Sequence, residues 1–138
     1  MKKYVLDASV VLCYLLEEKT SVVKEVEVLL TDIQKAGKTK LFSSFLLPLE
    51  VGNGLRFTLK DEKLAEEVFG IFLGLPIEYL NLSNVQLKRT LFQSYELKTT
   101  FYDTSYHLLA KSRNAIFVTC DESYYKKAKE LGNVVFLD

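Results

Sequence analysis

Acidic side chains stand at three places in the sequence where an open parallel sheet would gather them. Asp7 directly follows the apolar run 4–6, Asp121 comes shortly after the apolar run 115–118, and each precedes a predicted helix. Asp103 lies in the first turn of a helix predicted over 101–113. Because the carboxyl ends of parallel strands meet at one edge of the sheet, we expect these side chains to share a crevice.

The fourth acid, Glu50, lies in a predicted helix whose sequence is apolar on nearly every side. A helix that is apolar all round is buried, and a buried carboxylate must be protonated, paired or bound to a metal. No Lys or Arg lies one turn before Glu50, so we interpret it as a member of a site. Its apolar neighbours are Leu46, Leu47, Leu49, Val51 and Leu55.

Four carboxylates in one crevice would repel each other and raise one another's pKa values. A divalent cation relieves this repulsion, and a ligand set made only of oxygen atoms favours Mg²⁺ or Mn²⁺ over Zn²⁺. Mg²⁺ keeps several water ligands, and one such water can attack a phosphodiester. Helix capping is the competing interpretation for Asp7, Asp103 and Asp121, because each stands at the start of a predicted helix.

The elements that would position these acids alternate along the chain. Hydrophobic periodicity predicts the order β-α-α-β-α-α-β-α-α-β-α-β, with short apolar strands separated by amphipathic helices. This alternation implies an α/β fold, in which a mostly parallel five-stranded sheet is covered by helices on both faces. The sequence contains no repeat, linker or low-complexity segment, so we expect a single domain over residues 1–138.

The composition, 49% hydrophobic and 26% charged, is typical of a soluble globular protein. Lys and Arg total 18, as do Asp and Glu, so the formal net charge is zero and a nucleic-acid partner would need a local basic patch or metal ions. Cys13 and Cys120 lack a metal-like spacing, and we expect free thiols in a reducing cytoplasm. No apolar run approaches the ~20 residues of a membrane span, so we expect no membrane partner.

Four short motifs, taken together, resemble a known family. They read Val-Leu-Asp-Ala-Ser-Val at 5–10, Leu-Glu-Val-Gly-Asn-Gly-Leu at 49–55, Tyr-Asp-Thr-Ser-Tyr at 102–106 and Phe-Val-Thr-Cys-Asp at 117–121. In this order they resemble the PIN domains, and most of all the VapC-type toxins of toxin–antitoxin pairs. The resemblance covers the whole chain. It implies a three-layer α/β/α sandwich with strand order 3-2-1-4-5, in which strands one and four are neighbours.

The resemblance also implies a function. It predicts a ribonuclease that cleaves single-stranded RNA with Mg²⁺ or Mn²⁺, and an antitoxin protein as its partner. The catalytic and metal-binding acids would be Asp7, Glu50, Asp103 and Asp121. The positions that help to arrange the acids would be Thr119, Ser9 and Asn53.

The chain carries more apolar residues than one small sheet face should need. Excess apolar surface marks an interface, so we expect a homodimer and an antitoxin segment that covers the groove beside the acids. The residues that prompt this expectation are Phe45, Leu46, Phe69, Phe72 and Leu73.

Basic residues near the motifs are candidates for contact with RNA phosphates. We predict this role for Arg56, Lys60, Lys126 and Lys127, with a solvated basic helix face as the competing interpretation. His107, which lies four residues after Asp103, is predicted either to bond to Asp103 or to lie at the edge of the core.

Two alternatives to a toxin nuclease stay open on the sequence alone. One is a catalytically inactive PIN-like module that binds RNA or protein, and the other is an RNA-processing nuclease without an antitoxin. A phosphotransfer domain is disfavoured, because Ser9 stands where a HAD-type enzyme has its second Asp and Asn81 stands where a receiver domain has its phosphoacceptor. The sequence also has no Gly-rich phosphate loop.

Overall fold

The computed structural model describes the backbone of residues 1–138 and every side chain except that of Ala36. Within these residues, five strands and seven helices alternate. The strands are β1 (Lys2–Leu6), β2 (Thr39–Ser44), β3 (Ile77–Leu80), β4 (Ile116–Thr119) and β5 (Val134–Phe136). The helices are α1 (Ala8–Leu15), α2 (Thr20–Ala36), α3 (Leu46–Thr58), α4 (Glu62–Leu73), α5 (Asn84–Leu97), α6 (Phe101–Ser112) and α7 (Glu122–Ala128).

The five strands form one sheet in the order β3-β2-β1-β4-β5, and every pairing is parallel. This confirms the predicted α/β/α fold and its strand order. In the pairing of β1 with β4, Leu6 lies opposite Val118. Asp7 and Thr119 therefore come together at the carboxyl edge of the sheet, where the loops that follow β1 and β4 also lie.

Helices cover the sheet, some directly and others by packing on the helices that contact it. α6 packs on β1, β2 and β4 and carries α5 on its other side, while α1 packs against α2, α3 and α4. The core is built from strand residues and from the inner faces of α1, α3 and α6. Its fully or almost fully buried members include Val5, Leu6, Val10, Val51, Tyr106, Phe117 and Val118.

Helix α1 is shorter than the sequence pattern suggests. The apolar run continues to Leu16, but Glu17 adopts a positive φ of 51° and ends the helix. The next helix, α2, has Lys19 at its N-cap without a side-chain hydrogen bond, and the nearby Ser21 hydroxyl donates instead to the Asp138 carbonyl oxygen at 2.6 Å. In the described part of the chain, no helix combines the length and apolar character needed to cross a lipid bilayer.

One residue predicted to lie at an interface is in the core instead. Phe72 of α4 is completely buried, because the helix turns this side chain towards the core and stacks it on Phe69. Leu46 and Phe69 are partly buried against the same core. Phe45 and Leu73 are exposed, at 54% and 59%, so they alone of the predicted set present large apolar areas to solvent.

Candidate active site

Asp7 is the most deeply buried of the four predicted acids. It follows β1 and caps α1, where its Oδ1 accepts a hydrogen bond from the Val10 N–H at 3.1 Å. The Ser9 hydroxyl donates to Oδ1 at 2.5 Å, and the Thr119 hydroxyl donates to Oδ2 at 2.6 Å. The Ser9 hydroxyl itself accepts a hydrogen bond from the Cys120 N–H at 2.9 Å. Only 3% of Asp7 is exposed. Burial raises its pKa to about 6, although the three hydrogen bonds to the carboxylate lower it.

Asp121 is joined to Asp7 through Thr119. The Thr119 hydroxyl that donates to Asp7 also accepts a hydrogen bond from the Asp121 N–H at 3.0 Å. Asp121 in turn caps α7, because its Oδ1 accepts from the Tyr124 N–H at 3.0 Å. The adjacency of β1 and β4 thus brings two acids that are far apart in the sequence into one hydrogen-bonded network.

Glu50 reaches this region from α3, and Tyr106 of α6 holds it in place. The Tyr106 hydroxyl donates to Glu50 Oε1 at 2.6 Å. Tyr106 is fully buried and stacks on Phe117 of β4, with the ring centroids 6.2 Å apart and the planes 8° from parallel. Burial raises the pKa of Glu50, the hydrogen bond from Tyr106 lowers it, and the charge of Asp103 raises it.

The prediction that α3 is buried on nearly every side is wrong. Leu49, directly before Glu50, is 72% exposed, and Phe57 is exposed as well. The helix packs against α1, α4 and β2, and the face that carries Leu49 and Phe57 stays in solvent although the sequence is apolar all round. Glu50 is half-buried at the border of the two faces. The buried side of α3 consists of Leu47, Val51 and Leu55.

Asp103 links the other acids electrostatically. It lies in the first turn of α6, and its N–H donates to the Thr100 hydroxyl at 3.1 Å, so Thr100 is the helix cap. Burial raises the pKa of Asp103, Thr100 lowers it, and the charge of Asp121 raises it. The charge of Asp103 in turn raises the pKa values of Asp7 and Glu50. The charge of Asp103 thus acts on Asp7 and Glu50, and Asp103 lines one cleft together with Asp121.

The donor atoms of this crevice suit a hydrated hard cation. All four acids offer carboxylate oxygens, which are the ligands that Mg²⁺ and Mn²⁺ prefer. Within the described residues, no three Asp, Glu, His or Cys side chains stand close enough together to hold an ion between them. Mg²⁺ is commonly held by one or two carboxylates while it keeps several waters. An ion held at this crevice would therefore be bound by one or two carboxylates and by water ligands.

Three of the predicted supporting and RNA-binding residues lie along α3 and its connection to α4. Arg56 and Lys60 line a cavity of about 610 Å³ between these two helices, and none of the four acids is part of its lining. Asn53 is exposed one helical turn after Glu50. By contrast, Ser9 and Thr119 make the predicted direct contacts with Asp7.

The two predicted lysines of α7 have different surroundings. Lys126 forms an ion pair with Glu122, one turn earlier on the exposed face of the helix, at 3.2 Å. Lys127 lines a cleft of about 190 Å³ together with Asp103 and Asp121. Of the two, Lys127 is thus the lysine beside the acids.

His107 is buried in the core rather than at its edge, and its hydrogen bonds lead away from Asp103. Nε2 lies 2.7 Å from the Gly132 carbonyl oxygen, and Nδ1 lies 2.8 Å from the Tyr124 hydroxyl. A carbonyl oxygen only accepts, so Nε2 carries the proton and Nδ1 accepts from Tyr124. Burial lowers the pKa of His107, which keeps the ring neutral. A polar residue within the apolar stripe of α6 was the one sign of this contact in the sequence.

Solved structures are similar to this chain over nearly its whole length. VapBC2 from Rickettsia felis, in a structure bound to a DNA fragment from its promoter, has 16% identity over 98% of this chain and 97% of that chain, with a TM-score of 0.70. PAE2754 from Pyrobaculum aerophilum has 23% identity over 93% and 86%, with a TM-score of 0.68. VapC20 from Mycobacterium tuberculosis, a toxin described as cleaving the sarcin–ricin loop, has 10% identity over 89% and 93%, with a TM-score of 0.60.

The sequence itself matches no family model and no curated protein. At identities this low, the likeness is one of fold. The strand order and the coverage of both chains define a PIN-like domain. Within that class, the fold is that of the VapC-type proteins.

Proposed function

We propose that this protein is a Mg²⁺- or Mn²⁺-dependent endoribonuclease that cuts single-stranded RNA. The observation that carries the proposal is the hydrogen-bonded link from Asp7 through Thr119 to Asp121 at the carboxyl edge of the sheet. Asp103 lines a cleft with Asp121, and its charge raises the pKa values of Asp7 and Glu50. Such a concentration of poorly solvated negative charge favours the binding of cations. The likeness to VapC20, described as cleaving the sarcin–ricin loop, supports RNA as the substrate.

The chain's own residues prepare the site for this reaction. The acids would hold a hydrated ion, one or two of them by direct contact and the others through its water ligands. When bound, the ion supplies a water of lowered pKa and offsets the charge that develops on the scissile phosphate. The hydroxyls of Ser9 and Thr119 orient both oxygens of Asp7. Tyr106 donates to one oxygen of Glu50 and leaves the other oxygen for a cation or its water ligand.

We infer further that the protein acts in the cytoplasm as the toxin of a toxin–antitoxin pair. Similar structures include VapBC2 from Rickettsia felis and a toxin–antitoxin complex from Klebsiella pneumoniae. A protein partner is supported by the large apolar side chains that α3 and α4 expose, and we assign this surface to an antitoxin segment and to a second copy of the chain. Light scattering of the purified protein checks the homodimer. The exposed side chains are Leu49, Phe57, Ile71 and Leu73.

The test of the nuclease compares the wild type with Asp7→Asn and Asp121→Asn on labelled single-stranded RNA of random sequence. We expect the wild type to cut in Mg²⁺ and not in EDTA, and each variant to lose a factor of roughly 10² or more in rate. Asparagine still caps a helix, so circular dichroism should show intact folds. Asp61→Asn is the matched control, because it makes the same change at the exposed cap of α4, and it should cut at the wild-type rate.

Two results would contradict the proposal. Cleavage at the wild-type rate by Asp7→Asn or Asp121→Asn would show that the acids are not the site. The absence of metal-dependent cleavage by the wild type would instead favour a PIN-like module that binds RNA or protein without cutting it.

A further inference from the structure

The cleft that contains Asp103 and Asp121 is also lined by cations. It lies between the connection from α5 to α6 and the beginning of α7, and its volume is about 190 Å³. Lys98 lines it from the connection and Lys127 lines it from α7. Two acidic and two basic residues therefore line the same small cleft. Hydroxyl groups complete its polar lining, and they belong to Thr99, Thr100 and Ser123.

The two lysines are held together by the fold. Lys127 Nζ donates to the Lys98 carbonyl oxygen at 3.0 Å, and an ammonium group has three donors, so two of them are left for a bound anion. Lys98 itself caps the C-terminus of α5 with φ 57° and ψ 46°. This is the left-handed region, where glycine or asparagine is favoured. A lysine in such a conformation suggests a use for its side chain.

Electrostatics limits which cations can hold a nucleic acid strand at this site. The four acids repel a polyanion, and a formal net charge of zero provides no general attraction. Exposed charges are screened beyond about 8 Å at physiological salt. Cations close to the acids are therefore the most effective in keeping a strand there, and Lys98 and Lys127 line the same cleft as Asp103 and Asp121.

We propose that Lys98 and Lys127 bind a backbone phosphate of the single-stranded RNA, next to the phosphate that is cut. This subsite rests on the proposed function, because the acids of the same cleft define the place of cleavage. Ammonium and hydroxyl donors read the phosphate and not the base, so the subsite fixes the position of the strand without selecting its sequence.

The test measures how binding of a labelled single-stranded RNA depends on salt, by fluorescence anisotropy in Mg²⁺ between about 50 and 200 mM salt. Asp7→Asn is the common background, so that the RNA stays intact during titration. Lys98→Asn removes the charge and keeps a residue suited to the left-handed conformation, and Lys127→Gln keeps the helix. Lys24→Gln is the matched control, since Lys24 is an exposed lysine of α2 and does not line this cleft.

For single-stranded RNA, log K falls with log salt, and the slope becomes less steep by about 0.7 for each phosphate contact that is removed. We expect Lys98→Asn combined with Lys127→Gln to make the slope less steep by about 0.7 and to weaken binding several-fold, while Lys24→Gln leaves both unchanged. An unchanged slope in the double variant would overturn the subsite, and so would an equal loss in the Lys24→Gln control.

The subsite and the nuclease can fail separately. If the wild type does not cut RNA but binding still depends on Lys98 and Lys127, the subsite stands and the proposed function falls. If the wild type cuts RNA while the double variant keeps the parent slope, the subsite falls and the nuclease stands. If the parent does not bind single-stranded RNA at any salt concentration, the subsite is overturned, whereas the nuclease is still decided by whether the wild type cuts RNA.

Discussion

Replacing Asp7 by asparagine should stabilise the metal-free protein at neutral pH, although Asp7 lies at the centre of the candidate site. Burial raises the pKa of Asp7 from 3.8 to about 6. At neutral pH the folded protein therefore keeps this carboxyl ionised in surroundings that disfavour its charge. Asparagine has nearly the same shape and no charge, so the substitution removes this cost.

The pKa determines the size of the expected effect. A pKa that rises from 3.8 to about 6 lowers the free energy of unfolding at neutral pH by about 3 kcal/mol, at about 1.4 kcal/mol for each pKa unit. Part of this is not recovered, because the asparagine amino group cannot accept the hydrogen bond that Ser9 or Thr119 donates, and such a bond contributes about 1 kcal/mol. We expect a net gain of about 2 kcal/mol, or a Tm that is higher by roughly 5–8 °C.

The effect has a defined pH window. The folded protein binds the Asp7 proton more tightly than the unfolded chain does, so the stability that comes from this proton is complete below about pH 4 and is lost as the pH rises through about 6. The Tm of Asp7→Asn minus that of the wild type should therefore lie slightly below zero at about pH 4, where only the lost hydrogen bond counts, and reach its full positive value above about pH 7. Taking the difference removes the part of the Glu50 and Asp103 titrations that both proteins share.

The assay is a series of thermal melts in EDTA across this pH window, followed by a second series in millimolar Mg²⁺. Mg²⁺ should raise the Tm of the wild type more than that of Asp7→Asn, because a ligand that binds the folded state stabilises it and Asp7 is a predicted ligand. Asp61→Asn, at an exposed cap, should change the Tm little at any pH. If Asp7→Asn lowers the Tm by the same amount at every pH and responds normally to Mg²⁺, Asp7 is only a helix cap and the reasoning is refuted.

Three further substitutions test the packing around the site. Tyr106→Phe should lower the Tm slightly, since the hydrogen bond to Glu50 contributes about 1 kcal/mol. It should also reduce metal-dependent cleavage roughly tenfold or more, because Glu50 is no longer held in place. An unchanged cleavage rate would show that Glu50 needs no such support. In urea unfolding, Gly54→Ala should be about 1–3 kcal/mol less stable than Gly70→Ala, because a Cβ at Gly54 would overlap the Leu12 side chain whereas one at Gly70 meets no atom within 4 Å. Both changes gain the same helix propensity, so equal stabilities would contradict the close packing of α1 on α3.

The parts of the fold that the sequence predicts well are those decided by neighbouring residues. Asp7 and Asp121 each follow an apolar run and begin a helix, and the structure has both as helix caps at strand ends. Ser83 caps α5 with the reciprocal bonds of a capping box, as its spacing from Gln86 indicates. The order of the strands is not a local property, and its prediction depended on the resemblance of four motifs to a family.

The parts that the sequence does not predict depend on residues that are distant along the chain. Tyr106 supports Glu50, and His107 bonds to Tyr124, through contacts that no periodicity reveals. Phe72 shows the same limit, because its spacing indicates an apolar face of α4 but not which of its residues the core covers. Hydrophobic periodicity assigns a face to a helix, whereas burial is decided by what packs against that face.

Helix capping and metal binding, the two interpretations of these acids, are compatible because a carboxylate has two oxygens. Asp121 uses Oδ1 to cap α7, which holds the side chain in place and leaves Oδ2 for another ligand. A group positioned before its ligand arrives loses less freedom on binding. In Asp7 both oxygens accept from hydroxyls, and each hydroxyl accepts in turn from a backbone N–H after β4, through Ser9 or Thr119. These donors can all be satisfied only when β1 lies beside β4, so the strand order that completes the sheet also assembles the site.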